Sequence, residues 1–218
     1  VDGNGQRELA DTLAGLLPIA QGQVRWLSQS DAAPASPFTP KIGYIPEDRQ
    51  RQGLVLSFTI ARNLILKAFW QLPFCRNFFL QEQQINQHAD VAIEKFDIRA
   101  SSSKLKAHQL SGGNQQKIIL ARELEGEPDL IIAMQPTRGL DIGATAYVQQ
   151  ALLAQRQRGA AILYISTELE EVMAMSDRIA VIYAGQFLDI LDGETATVAE
   201  IGLLMAGGQG RCHQEMPS

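Results

Sequence analysis

Leu110-Ser111-Gly112-Gly113-Asn114-Gln115-Gln116-Lys117 is a turn that opens directly into an apolar-periodic helix. Two adjacent glycines let the backbone approach a bulky anion. Ser111 adds a hydroxyl where the new helix directs its unpaired N–H groups and positive dipole end. The octet therefore reads as a turn built to touch phosphate. A Ser-Gly-Gly turn also serves as an ordinary helix cap, so its meaning depends on its company.

That company follows downstream. The apolar run Leu130-Ile131-Ile132-Ala133-Met134 closes with Gln135-Pro136-Thr137-Arg138-Gly139-Leu140-Asp141. The octet is similar to the signature of ATP-binding cassette (ABC) proteins, and the second stretch resembles their Walker B strand and D-loop. The resemblance runs from Val1 to about Gly207. It implies one cassette over residues 1–206, with a helical subdomain at about 57–115 and a disordered tail over 207–218.

A chain of 218 residues, 45 % hydrophobic and 20 % charged, can bury a core for one large α/β domain or two small ones. A formal charge of -5 disfavours nucleic acid as a partner, since that contact wants a basic face. Cys75 and Cys212 lie far apart without metal spacing, which points to free thiols in a reducing compartment. His88, His108 and His213 make no ligand pattern, and no metal site is expected. No run of about 18 apolar residues and no N-terminal leader pattern is present in this sequence.

Gly3-Asn4-Gly5-Gln6-Arg7 precedes a helical pattern over 8–17 in which Gly15 is a plausible C-cap. A glycine-rich turn feeding a helix is the layout of a phosphate loop. In a working loop, Gly-x-x-x-x-Gly-Lys-Ser/Thr supplies a lysine for the β/γ-phosphates and a hydroxyl for Mg²⁺. Here Gln6 takes the lysine position and Arg7 the hydroxyl position. Arg7 restores charge but not the lysine's geometry. The motif starts before Val1, which leads us to expect a longer protein and a sheet lacking its feeding strand.

Residues 23–27 read as a strand and 31–40 as a loop; Lys41-Ile42-Gly43-Tyr44-Ile45 reads as a strand ending at Pro46-Glu47-Asp48-Arg49. Between Ser57 and Arg99, apolar residues recur at helical spacing. Phe58, Phe69, Phe74, Phe78 and Phe79 are expected to fill the subdomain's own core, and only an exposed cluster would argue for docking. Further on, the pattern predicts a helix over 115–124, buried parallel strands over 129–134 and 161–165, a helix over 143–158 and a short one over 168–175. A third strand over 178–183 turns at Ala184-Gly185 toward 187–191. Alternating strands and helices imply an α/β fold, a mostly parallel sheet with helices on both faces.

The resemblance implies nucleotide contacts at Gly3, Asn4, Gly5, Gln6, Arg7, Ser111, Gly112, Gly113, Gln115 and Asp141. It also implies departures from hydrolytic chemistry. Glu47 replaces the Q-loop glutamine, and Thr167 stands where the switch histidine falls. Met134 and Gln135 replace the metal and base carboxylates. Mg²⁺ wants hard oxygens, which Met134 lacks, and Gln135 cannot take a proton at neutral pH. In this family two cassettes pack head to tail, each ATP lying between one phosphate loop and the other signature. A cassette with a degenerate site of its own still completes its partner's, and Mg²⁺ is expected mainly there.

Together these motifs resemble the second, C-terminal cassette of importers for simple sugars and nucleosides. The Met134-Gln135 pair is closer to the nucleoside-type members. The resemblance implies ATP as cofactor, a first cassette on the same protein, membrane permease subunits, and indirectly an extracytoplasmic solute-binding protein. It also implies a peripheral place on the cytoplasmic face of the membrane. Two alternatives stay open: residual ATP hydrolysis with Glu47 or Glu168 as base, and a soluble cassette module without a permease.

Overall fold

The computed structural model describes residues 3–26 and 38–208. The chain divides into two compact units, one formed by 40–162 and the other by 1–39 with 163–218. The expected disorder over 209–218, and Leu27, fall outside the described residues.

The 40–162 unit is built around α4, Gly112–Leu124. Ile118, Ile119, Leu120 and Ala121 are all fully buried, with polar Gln115, Gln116 and Glu123 buried beside them, so this helix lies in the core rather than on it. Strand β1, Ile42–Ile45, pairs in parallel with β4, Leu130–Met134, with Ile42 opposite Leu130. The strand order is β1-β4-β5, where β5 is Ala161–Ile165. Burial of β4 on both faces matches the apolar run that marked it. Strand β5 is only half-buried, against the expectation of a buried strand. Helix α5, Ile142–Gln157, returns along the unit with Val148 and Leu152 inward.

The segment before α4 holds α2, Ile60–Leu64, and α3, Glu82–Lys95, flanking a small hairpin of β2, Cys75–Arg76, and β3, Phe79–Leu80. Its core is aliphatic: Ile60, Ala61, Leu64, Ile85, Ala89 and Ala92 are buried. Among the segment's rings, Phe74 and, just after α3, Phe96 are buried. The expectation that Phe58, Phe69, Phe78 and Phe79 fill this core is therefore corrected. They are exposed with Trp70 and Leu72, and of the five only Phe74 is buried. Phe78 projects fully from the hairpin turn, where Asn77 and Phe78 both have positive φ.

In the other unit, α1, Gln6–Leu13, follows the glycine-rich turn and stops at Ala14, with Gly15 left-handed just beyond. Helix α6, Leu169–Met175, leads to β6, Arg178–Tyr183, which pairs antiparallel with β7, Gln186–Asp192. Ala184 and Gly185 both have positive φ, the geometry of a two-residue hairpin. That turn pairs β6 with β7, and the two form a two-stranded sheet apart from β1-β4-β5, so β6 is not the third strand of the parallel sheet that the pattern suggested. Ile179 and Val181 pack with Ile201 and Leu204 of α7, Val198–Met205. Helix α7 was not foreseen, although Thr197-Val198-Ala199-Glu200 carries a capping-box pattern and Thr197 Oγ1 accepts from Glu200 N. Residues 23–26 form no strand; no neighbouring strand among the described residues offers them a ladder.

Candidate functional site

Ser111 is the N-cap of α4. Its Oγ accepts from Asn114 N at 3.5 Å and from Asn114 Nδ2 at 3.0 Å, and its carbonyl takes Gln115 N. These bonds settle the third and fourth amides of the first turn. The Gly112 and Gly113 N–H groups are left facing outward at the positive end of a 13-residue helix. Both positions are crowded for a side chain. A Cβ on Gly113 would lie 3.0 Å from Ala144 Cβ, and one on Gly112 would lie 2.9 Å from Arg49 Nη2.

The other polar residues of the octet serve its scaffold. Gln115, expected at the nucleotide, is buried, with Nε2 donating to the carbonyls of Ala107 and Leu110 and Oε1 accepting from Gln50. It braces the loop. Asn114 Oδ1 accepts from Arg99 N at 2.8 Å. Lys117 Nζ donates to Asp97 Oδ2 at 2.5 Å and lies 4.5 Å from the Tyr147 ring centroid. The bond and the charge of Lys117 hold the Asp97 carboxyl below its ordinary value, while burial pushes the Tyr147 hydroxyl up.

Beyond β4 the chain turns sharply. Gln135 is buried with φ of 44°, a left-handed conformation for a residue with a side chain, and its carbonyl accepts from Arg138 N. Met134 is 3 % exposed, and its Sδ is 3.6 Å from the Tyr44 hydroxyl, which donates to it. This position therefore offers a soft thioether where a cation such as Mg²⁺ would need a hard oxygen. The residues present do not fit that metal. Asp141 caps α5, its Oδ1 accepting from Ala144 N at 2.8 Å, and stays exposed.

The turn after β1 reaches this region too. Glu47 accepts from Arg138 Nη1 in a close ion pair. Asp48 Oδ1 caps the following π-helical turn, Arg49–Gly53, by accepting from Gln50 N and Arg51 N. Arg49 Nη1 donates to the Arg138 carbonyl at 2.7 Å. The sequence offered no periodic signal for the contacts of Glu47 and Arg49 with Arg138, whose partners lie 91 and 89 positions apart.

In the other unit, Gly3 and Gly5 have φ of 84° and 100°. A Cβ on Gly5 would come 3.3 Å from Gly185 Cα, so the loop packs on the β6–β7 turn. Asn4 Oδ1 accepts from Ala184 N, and the Asn4 carbonyl accepts from Gly185 N. Gln6 Oε1 accepts from Asn4 N at 3.0 Å, so the side chain in the lysine position folds back onto an amide of its own loop. Arg7 lies beside Asp11 at 3.6 Å, one turn along α1. Thr167 sits half-buried between β5 and α6; Glu168 is exposed, while its neighbour Glu171 accepts from the Tyr164 hydroxyl at 2.7 Å.

A family model described as ABC transporter matches residues 2–138, more than half of the chain and inclusive of the octet and the Met134 turn. The chain belongs to the ABC transporter family. This ABC transporter chain is 44 % identical over 210 residues to the nucleoside import ATP-binding protein NupA of Lactococcus lactis subsp. cremoris. It is 42 % identical over 209 residues to the guanosine import ATP-binding protein NupO of Bacillus subtilis. Each alignment covers 95 % of the chain but only 42 and 41 % of those relatives, so the chain spans about two-fifths of their length. A transporter assigned to the metal-chelate type, solved inward-facing, superposes over 95 % of the chain and 76 % of its own, with a TM-score of 0.71 and 18 % identity. That likeness establishes the P-loop NTPase fold of ABC proteins. Among the described residues no helix is long and apolar enough to cross a membrane.

Proposed function

We propose that this chain is the second, ATP-binding cassette of an importer for nucleosides or simple sugars, with a degenerate nucleotide site of its own. Its task is to present Ser111, Gly112 and Gly113 to the ATP held by a first cassette packed head to tail against it. The observation that carries this is a contrast. The signature end of α4 keeps two outward amides, whereas Met134 holds the metal position and Gln6 takes up an amide of the phosphate loop.

ATP supplies the anionic phosphates and the cleavable bond; this chain's residues bind and orient. Gly112 and Gly113 N–H groups, at a positive helix end, suit the terminal phosphate as charge develops there, and Asp141 stays exposed beside them. Gly3, Asn4, Gly5, Gln6 and Arg7 hold a nucleotide weakly, through backbone amides without the lysine. No step runs through a metal in this half. Gln135 orients a water but takes no proton from it.

The solute class rests on the names of the relatives and on the Met134-Gln135 pair. A permease partner is supported by the exposed Phe69, Trp70, Leu72, Phe78 and Phe79, a surface that wants cover. With a permease goes a peripheral place on the cytoplasmic face and, indirectly, an extracytoplasmic binding protein.

The test uses the intact two-cassette protein with its permease. Gly113→Asp places a carboxylate against the phosphate and is expected to lower ATP turnover at least about 100-fold. Gln135→Ala is expected to leave turnover within about threefold, since loss of a working base would cost about 10²–10⁴. Wild-type turnover in Gly113→Asp would sink the signature role. Clear turnover after removal of the first cassette's metal and base carboxylates would favour hydrolysis in this half.

A further inference from the structure

The strongest unassigned feature is a single guanidinium set among the signature, the turn after β4 and the turn after β1. Arg49 Nη1 donates to the Arg138 carbonyl at 2.7 Å, and Nη2 approaches the carbonyl of Gly139, the next residue, at 3.5 Å. The same Nη2 lies 2.9 Å from where a Gly112 Cβ would stand, and Cζ lies 3.4 Å from it. Arg49 Nε is buried without a partner. The guanidinium is therefore held by its two Nη groups, both on the turn after β4.

We infer that Arg49 is a positioning residue: its planar fork locks the Gly112–Gly113 end of α4 to the turn that leads into Asp141. The inference rests on the proposed role of the signature. The flanking bonds have the same sense. Glu47 pairs with Arg138 on the turn after β4, and Gln50 bonds Gln115 on the signature side, so the 47–50 turn grips both. Arg49 is the one member of that turn that touches both at once. Gly112 is thereby explained, since a side chain there would displace the guanidinium. Arginine is needed because two consecutive carbonyls are served by one rigid fork, which a lysine ammonium on a flexible stem cannot span. The consequence is functional: a shift of about an ångström in the two outward amides is enough to lower the rate of a reaction they help orient by roughly 10- to 100-fold.

The experiment measures steady-state ATP turnover of the intact two-cassette importer carrying Arg49→Lys, Arg49→Met, Gly112→Ala or the Arg49→Met/Gly112→Ala pair. Thermal melting confirms that each variant is folded. Arg49→Lys is expected to lower kcat roughly tenfold, with KM for ATP changed less than about threefold, because the phosphate loop that first captures nucleotide is untouched. Gly112→Ala is expected to lower kcat alone but to add little in the Arg49→Met background, since the guanidinium it would displace has gone. Should Arg49→Met fail to fold, Arg49→Lys carries the test. Wild-type kcat in Arg49→Lys, a defect confined to KM, or fully additive effects of Arg49→Met and Gly112→Ala would each overturn the inference. Gly113→Asp separates the two readings. If it is inactive while Arg49→Lys is normal, only the role of Arg49 fails. If it turns over normally, the signature role fails as well.

Discussion

Glu123 shows how much one buried charge can organise. Its side chain is 1 % exposed, accepting from Tyr44 N at 3.0 Å, Lys67 Nζ at 2.5 Å and Arg122 Nε at 2.9 Å. One carboxylate thus joins β1, the turn after α2 and α4, and every bond is to a cation or an amide. Removing it leaves Nε of Arg122, whose side chain is 8 % exposed, without its carboxylate, while Nη1 keeps the Asn63 carbonyl. Glu123→Ala is expected to lower stability by about 3–5 kcal/mol, read as a shift in the denaturant midpoint, whereas replacing exposed Glu168 should change it by less than about 0.5 kcal/mol. Asn63 plays a similar part without charge. It is fully buried, and its amide serves Val55 N and the carbonyls of Val55, Phe58 and Thr59.

Among the elements, the β2–β3 hairpin separates packing from surface. Phe74 is 9 % exposed and stacks edge-on to His88 with centroids 4.9 Å apart, while Phe78 is fully exposed in a left-handed conformation at the tip. Phe74→Ala is expected to cost about 3–5 kcal/mol, and Phe78→Ser to stay within about 0.5 kcal/mol, both measured by thermal melting. A similar loss for both would mean that the tip folds back into the protein. The octet announces α4 through its cap, because capping is chemistry between near neighbours. The outward turn of the aromatics was not legible, since spacing cannot tell a ring filling a core from a ring on its rim.

For the molecule as a whole, pH reaches stability through Asp97. Lys117 stabilises its charged form, so the folded value is depressed below 3.8. The sign follows: the contribution is present above the unfolded value and is lost as pH falls through the folded one. Wild-type protein is expected to lose stability below about pH 3.8 more steeply than Asp97→Asn, seen as the slope of melting temperature against pH. Parallel slopes would remove Asp97 from the acid response. Much of the architecture was readable from residue order: strands β1, β4 and β6, and helices α4 and α5, because periodicity, glycine and caps act within a few residues. What packing alone decided was which side chains serve the site. Gln115 became a brace, Gln6 turned onto its own loop, Met134 met Tyr44, and Arg49 came to rest on Gly112. Each depends on partners brought together from distant or tightly turned backbone, where the geometry of the fold, and no local preference, sets the contact.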